Sequence, residues 1–192
     1  MKLRALYILN KVMICIILAM VFGGCGQSDY KGDGTLDTGF FFYPKFKVKF
    51  SELPINTPIK KLYKFRGTPD DELILRFDIL REDRKRETDN KQLTLLWEDL
   101  NKAKIGFKVV LSIGDTKIRS VGPALLTEAW TLAAFGKEYY FWHKDFNKLL
   151  LNKKTEYKLN IEVDVKGNLR QKVFLVPILE GGGFGKGDIY RS

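Results

Sequence analysis

Tyr157, Leu159, Ile161, Val163 and Val165 alternate without a break with Lys158, Asn160, Glu162 and Asp164. A period of two sends successive side chains to opposite faces, so this stretch buries its apolar set only as a strand with one face on a core. The same period recurs along the chain. Phe46, Val48 and Phe50 alternate with Lys45, Lys47 and Lys49, a half-buried strand with a cationic outer face that would resist pairing if it lay at a sheet edge. Over 72–80, Leu73, Leu75, Phe77 and Ile79 share one face, while Arg76 and Asp78 share the other with Ile74 and Leu80. Phe107, Val109 and Leu111 mark the inward face of 105–113, and Gly114 with Asp115 suits a two-residue turn into 116–121. Residues 138–143 read as a dense aromatic strand, and Gly167 with Asn168 is expected to fold 157–165 back on 169–178 as a hairpin. About seven such strands, separated by turn residues, predict an all-β fold, an antiparallel sandwich rather than an α/β sheet.

Two segments depart from that period. In 124–135, Leu125, Ala129, Leu132 and Phe135 stand near helical spacing behind Pro123, which is acceptable as a first helical residue; one short helix or a long crossover loop is expected. Residues 145–151 suit a single helical turn. The run 81–91 is mixed in sign and reads as a solvated hairpin tip or loop.

The stretch Leu151, Asn152, Lys153, Lys154, Thr155, Glu156, Tyr157, Lys158, Leu159 resembles the approach to the penultimate strand of fibronectin type III and other immunoglobulin-like domains. There a leucine, a turn and Thr-x-Tyr precede alternating apolar residues, and the tyrosine hydroxyl bonds back to upstream backbone as a tyrosine corner. The resemblance implies an immunoglobulin-like sandwich and a structural role for Tyr157. Asn152, Lys153 and Lys154 stand where that family often has proline and glycine.

The amino terminus has a different character. Lys2, Arg4 and Lys11 precede an apolar run over 12–22, and Val21, Phe22, Gly23, Gly24 and Cys25 follow its course to a cysteine. Positive flank, short apolar segment and small residues before a cut are the parts of a secretory signal. The run is too short to span a bilayer as a helix, which takes roughly 20 apolar residues. The five residues ending at Cys25 resemble the lipobox of bacterial lipoproteins, with Phe22 where an aliphatic residue is usual. That resemblance implies removal of residues 1–24, a diacylglycerol on the Cys25 sulfur and an acylated amino group, so that lipid on Cys25 is the membrane partner. Two or three acyl chains make a durable anchor where one does not. In diderm bacteria Gly26, in place of aspartate, implies sorting to the periplasmic face of the outer membrane.

The expected organisation is therefore a signal peptide over 1–24, a flexible tether over 25–39 rich in Gly, Asp, Ser and Thr, one domain over 40–180 and a Gly-rich flexible tail over 181–192. Removing 24 residues from 192 leaves 168, enough for one domain with a sizeable core. The formal charge is +10, of which about +7 stays after the signal leaves. A basic surface can meet anionic headgroups, nucleic acid or an acidic protein; an envelope address disfavours nucleic acid. Of two cysteines, Cys15 leaves with the signal and Cys25 carries lipid, so the domain has neither thiol nor disulfide.

Residues able to do chemistry are few. His143 is the single histidine, which excludes a multi-histidine metal site and a His-Cys pair, and its place beside Tyr139, Tyr140, Phe141 and Trp142 suits packing better than base catalysis. None of Ser28, Ser51, Ser112, Ser120 and Ser192 stands in a Gly-x-Ser-x-Gly elbow. Asp70, Asp71 and Glu72, and Glu82 with Asp83, lack calcium-loop spacing and suit solvated turns. The tail Gly181, Gly182, Gly183, Phe184, Gly185, Lys186, Gly187 fails as a phosphate loop, since Glu180 stands in place of the first glycine and no helix can follow. No cofactor or metal is expected, and no catalytic residue.

What is left is a binding surface. Tyr140 and Trp142 fall on the opposite strand face from Tyr139 and Phe141, so one pair lies away from the core and could stack on sugars or serve as a protein hot spot. Together with Lys45, Lys47 and Lys49 they form the candidate surface. The expected function is a non-catalytic protein-binding module on a membrane-anchored periplasmic lipoprotein, its partner an envelope or effector protein. An immunity lipoprotein that neutralises an antibacterial effector is the alternative; a carbohydrate-binding module or an envelope hydrolase ranks below both, the missing motifs weighing against the hydrolase. The stretch from Gly67 through Asp78, and that around Tyr157, resembles uncharacterised bacterial lipoprotein families, a resemblance that implies no site residue.

Overall fold

The computed structural model describes residues 29–37, 46–70, 72–81, 90–135 and 138–181. Cys25 and Lys45 lie outside the described residues. Among those described, thirteen strands form two antiparallel sheets that pack face to face: β1 (Lys31–Gly32), β2 (Thr35–Asp37), β3 (Phe46–Lys49), β4 (Leu53–Pro54), β5 (Ile59–Arg66), β6 (Glu72–Arg81), β7 (Ile105–Ile113), β8 (Thr116–Leu125), β9 (Thr131–Phe135), β10 (Glu138–Trp142), β11 (Leu149–Leu150), β12 (Tyr157–Val165) and β13 (Val173–Gly181). The smaller sheet runs β1-β5-β12-β7-β8 and the larger β2-β3-β13-β6-β10-β9, with β4 on β13 and β11 on β6. The protein is an all-β sandwich. All seven stretches with alternating pattern supply strands of it, although the last, expected over 169–178, becomes strand only from Val173.

The core is the sum of their inward faces. Leu73, Leu75 and Phe77 of β6 are buried, as are Ile105, Phe107, Val109 and Leu111 of β7 and Tyr157, Leu159, Ile161 and Val163 of β12. Phe77 of the large sheet meets Phe107 of the small one edge to face at 5.1 Å, and both rings contact Trp130, at 5.0 and 5.5 Å. Edge-to-face pairs of this kind add about 0.5–1.5 kcal/mol each beyond the area they bury.

The expected hairpin between the last two long strands does not form. β12 has β5 on one side and β7 on the other, and β13 lies between β3 or β4 and β6, so neither strand has an edge left for the other. Residues 166–172 cross from one sheet to the other, held by the Gly167 N–H on the Ala103 carbonyl at 2.9 Å. Asn56 completes the crossing, donating from Nδ2 to the Gln171 carbonyl and accepting the Val173 N–H on Oδ1, both at 2.9 Å. The β7–β8 hairpin does form, with Gly114 at φ +56° in its two-residue turn, where a left-handed residue is needed.

Three further expectations are corrected. The described part of the tether, 29–37, is not free coil: β1 pairs with Arg66 and Phe65 of β5, and β2 pairs with β3, which moves the domain boundary towards the amino terminus. It also places β3 inside the sheet rather than at an edge. Pro123 starts no helix, because β8 continues to Leu125; the helix is the single turn α2 (Leu126–Ala129), and β9 takes up the rest of 124–135. Gly181, placed in the tail, ends β13 instead. Residues 145–151 hold a 3-10 turn at Lys144–Phe146 and then β11.

Two elements escape the period-two reading. β5 carries Lys60, Lys61, Lys64 and Arg66 among its eight residues, yet Tyr63 and Phe65 are buried. Helix α1 (Asn90–Ala103) leads from β6 to β7 and buries Leu96, Leu100 and Ala103 at i, i+4 and i+7, with Trp97 set 6.2 Å from the Phe141 ring. Each buried leucine is worth about 1.5–3 kcal/mol. The helix ends at Lys104, which takes a left-handed φ of +48°.

Candidate functional site

Phe141 is fully buried and pairs with Phe77, so its neighbours Tyr140 and Trp142 must point away from the core. Both are half-buried on the outer face of the large sheet. Register carries that face across four strands. Trp142 pairs with Arg76, Arg76 with Ile178 and Ile178 with Lys49; Tyr140 pairs with Asp78 and Asp78 with Val176; Glu180 pairs with Ile74 on one side and Lys47 on the other. The structure thus brings Tyr140, Trp142, Lys47 and Lys49 onto one surface, with the two aromatics and the two lysines separated by β6 and β13. Lys49 is exposed and Lys47 partly so.

Between them lies a charged cluster that the sequence reading did not assemble. Arg76 Nε stands 3.1 Å from Asp78 Oδ1 and 3.3 Å from Glu180 Oε1, and the three side chains are only 7%, 16% and 12% exposed. The guanidinium carbon sits 4.7 Å from the Tyr140 ring centroid, a cation–π distance. Burial pushes the Tyr140 hydroxyl above its ordinary range; the Arg76 cation pulls it back, and the Glu180 and Asp78 charges push it further up. A buried guanidinium between two carboxylates and an aromatic ring is fixed in orientation, and loss of that cation would leave the two carboxylates uncompensated. Asp78, two residues from Arg76 and so on the same strand face, was a visible signal; Glu180 enters through strand pairing alone.

Tyr157 lies elsewhere, at the start of β12 and buried. Its hydroxyl accepts the Asn152 N–H at 2.7 Å, a bond to backbone five residues upstream, and its ring stacks on Phe65 at 5.7 Å. His143 Nδ1 accepts the Asp145 N–H at 3.1 Å and thereby caps the 3-10 turn, with the ring 5.4 Å from that of Trp130. Burial lowers its pKa, against the Asp145 carboxylate and with the Lys144 ammonium. A neutral imidazole suits this accepting role.

Two open grooves lie away from the aromatics. One, of about 630 Å³, covers the outer face of the small sheet around the row Lys60–Glu162–Lys108, whose ammonium–carboxylate distances are 3.8 and 3.4 Å. The other, of about 620 Å³, lies between sheet edges near Asp33, Lys49, Lys61 and Tyr63. Among the described residues no group of three His, Cys, Asp or Glu side chains could hold a metal ion, and no helix is long and apolar enough to cross a membrane.

No family model and no curated protein matches the chain. A solved structure similar to it is CBM27-1 of Caldicellulosiruptor saccharolyticus in complex with mannohexaose, at 11% identity and a TM-score of 0.35, covering 81% of this chain and 86% of that one. A likeness at that level leaves the reading of the surface to its own residues.

Proposed function

We propose that this chain is a lipid-anchored lipoprotein of the cell envelope whose sandwich is a non-catalytic protein-binding module, and that its partner docks on the outer face of the large sheet. The observation that carries this reading is the gathering of Tyr140, Trp142, Arg76 and two lysines on one sheet face. Tyrosine, tryptophan and arginine are the residue types that dominate binding hot spots. Arg76 is itself buried and acts from behind: held by Asp78 and Glu180 against the Tyr140 ring, it steadies that ring, so a partner need not order it, which lowers the entropic cost of association. Lys47 and Lys49 supply a cationic border for an acidic partner and should govern the association rate more than the final affinity.

Pull-down from crosslinked envelopes tests the reading. The wild-type protein should retain a specific protein that the Tyr140→Ala, Trp142→Ala double variant loses. Retention of peptidoglycan or glycan alone would overturn the protein-partner reading. For the anchor, Cys25→Ala should release the protein from membranes, and unchanged membrane association would contradict it.

A further inference from the structure

Topology places many connections at one end of the sandwich. Lys31 pairs with Arg66, Phe65 with Tyr157, Lys158 with Ser112, and Ile113 with Thr116 across the small sheet. In the large sheet Leu73 and Gly181 pair at the same end, Leu149–Leu150 of β11 pair there with Leu73 and Glu72, and the links 67–71 and 151–156 join the two sheets across it. The chain also enters the domain here: Tyr30 packs its ring 6.0 Å from Phe46, and Gly67 lies against Asp29.

Cys25 is four residues before Asp29. Four Cα steps of 3.8 Å reach at most about 15 Å. If Cys25 carries lipid, as proposed above, this end of the sandwich cannot stand off from the bilayer. Its surface suits that position. Of four large hydrophobic side chains exposed among the described residues, two are here: Leu150 at 76% and Ile113 at 43%. Lys31, Arg66, Lys148, Lys153 and Lys154, all exposed, lie at the same end. Of the acids nearby, Asp70 accepts the Lys153 N–H and Asp115 faces the Lys158 ammonium, while Asp29, Glu156 and Glu72, the register partner of Leu150, are exposed.

We infer that this end is a membrane-contact surface: Leu150 and Ile113 dip into the headgroup boundary of the bilayer while these lysines and Arg66 meet anionic headgroups. Apolar side chains together with cationic ones are the chemistry of interfacial binding. The fold is thereby oriented. The groove around Lys60, Glu162 and Lys108 lies toward the end of the small sheet away from the membrane, and the outer face of the large sheet stands along its side, presenting the half-buried Tyr140 and Trp142 and the exposed Lys49.

The mature domain has no cysteine besides Cys25, so a single added thiol can be labelled cleanly. The full lipoprotein carrying Leu150→Cys, Ile113→Cys or, on helix α1, Leu95→Cys would be labelled with an environment-sensitive fluorophore. It would then be reconstituted in vesicles of phosphatidylethanolamine and phosphatidylglycerol with brominated acyl chains. The probes at 150 and 113 should be blue-shifted and quenched several-fold more than the probe at 95. Equal quenching at all three sites, or none at 150 and 113 while the protein stays on the vesicles, overturns the inference and leaves the anchor standing. Protein that does not stay on the vesicles overturns the anchor, and the inference with it.

Discussion

The Arg76 guanidinium lies 4.7 Å from the centre of the Tyr140 ring, on the sheet face turned away from the core. The contact joins β6 to β10, the strand that carries both candidate aromatics, and Asp78 and Glu180 are the carboxylate neighbours of the guanidinium. Replacing Arg76 with methionine keeps bulk but leaves two buried carboxylates without their cation. Chemical denaturation should show a loss of about 3–5 kcal/mol. Arg76→Lys should recover only part of it, because an ammonium cannot lie flat on the Tyr140 ring while reaching both acids.

Tyr157→Phe removes the acceptor for the Asn152 N–H and leaves the ring on Phe65. Asn152 is exposed, so water can replace the bond, and the expected loss is about 1 kcal/mol, read from the urea midpoint. Tyr157→Ala also empties the core and should cost several times more.

Gly67 has φ +77°, and a Cβ there would meet the Asp29 carbonyl oxygen at 2.1 Å. Gly67→Ala should cost roughly 1–2 kcal/mol in left-handed backbone strain and also displace the start of the domain. Limited proteolysis should then cut near Asp29 faster than in the wild-type protein.

Stability should decline at alkaline pH. Burial raises the pKa of Tyr30, Tyr63 and Tyr140 above the ordinary 10.0; Asp33 adds to the first two, and the Ser51 hydrogen bond partly offsets the second. A group whose folded pKa is raised contributes stability that is complete below its unfolded pKa and is lost as pH climbs through the folded value. Through these groups denaturation midpoints should hold steady from about neutral pH to pH 10 and fall above it. Ultraviolet titration should show these phenols ionising together with unfolding. His143 acts at the other end: its lowered pKa gives stability present above pH 6.5 and lost as pH falls through the folded value, and His143→Phe should remove that acid-side dependence.

Local pattern made the strands readable and long-range pairing did not follow from it. The alternation in 157–165 identified β12, but the Gly167–Asn168 turn signal carried no information about edges already taken by β5, β7, β3 and β6. β5 was hidden by its cations. Lys61 falls on the core-facing side in register with Ile161, stays exposed, and lies 5.8 Å from the Tyr63 ring centroid. An inward-pointing charge of this kind protects a thinly covered edge, and it breaks the apolar period that identifies a strand. Helix α1 followed a mixed-charge run that drew attention away from Leu96, Leu100 and Ala103. On the candidate face, Tyr140, Trp142, Lys47 and Lys49 were legible because each lies in an alternating strand. Arg76 became notable only once β13 brought Glu180 beside it.

The central claim is that a protein partner docks on the outer face of the large sheet. A photo-crosslinking side chain at Lys49, on that face, and one at Lys60, on the outer face of the small sheet, test it in living cells without disturbing the aromatics. Lys49 should yield a discrete protein adduct that disappears in the Trp142→Ala background, and Lys60 should yield none. An adduct from Lys60 alone, or a Lys49 adduct indifferent to Trp142, would contradict the account.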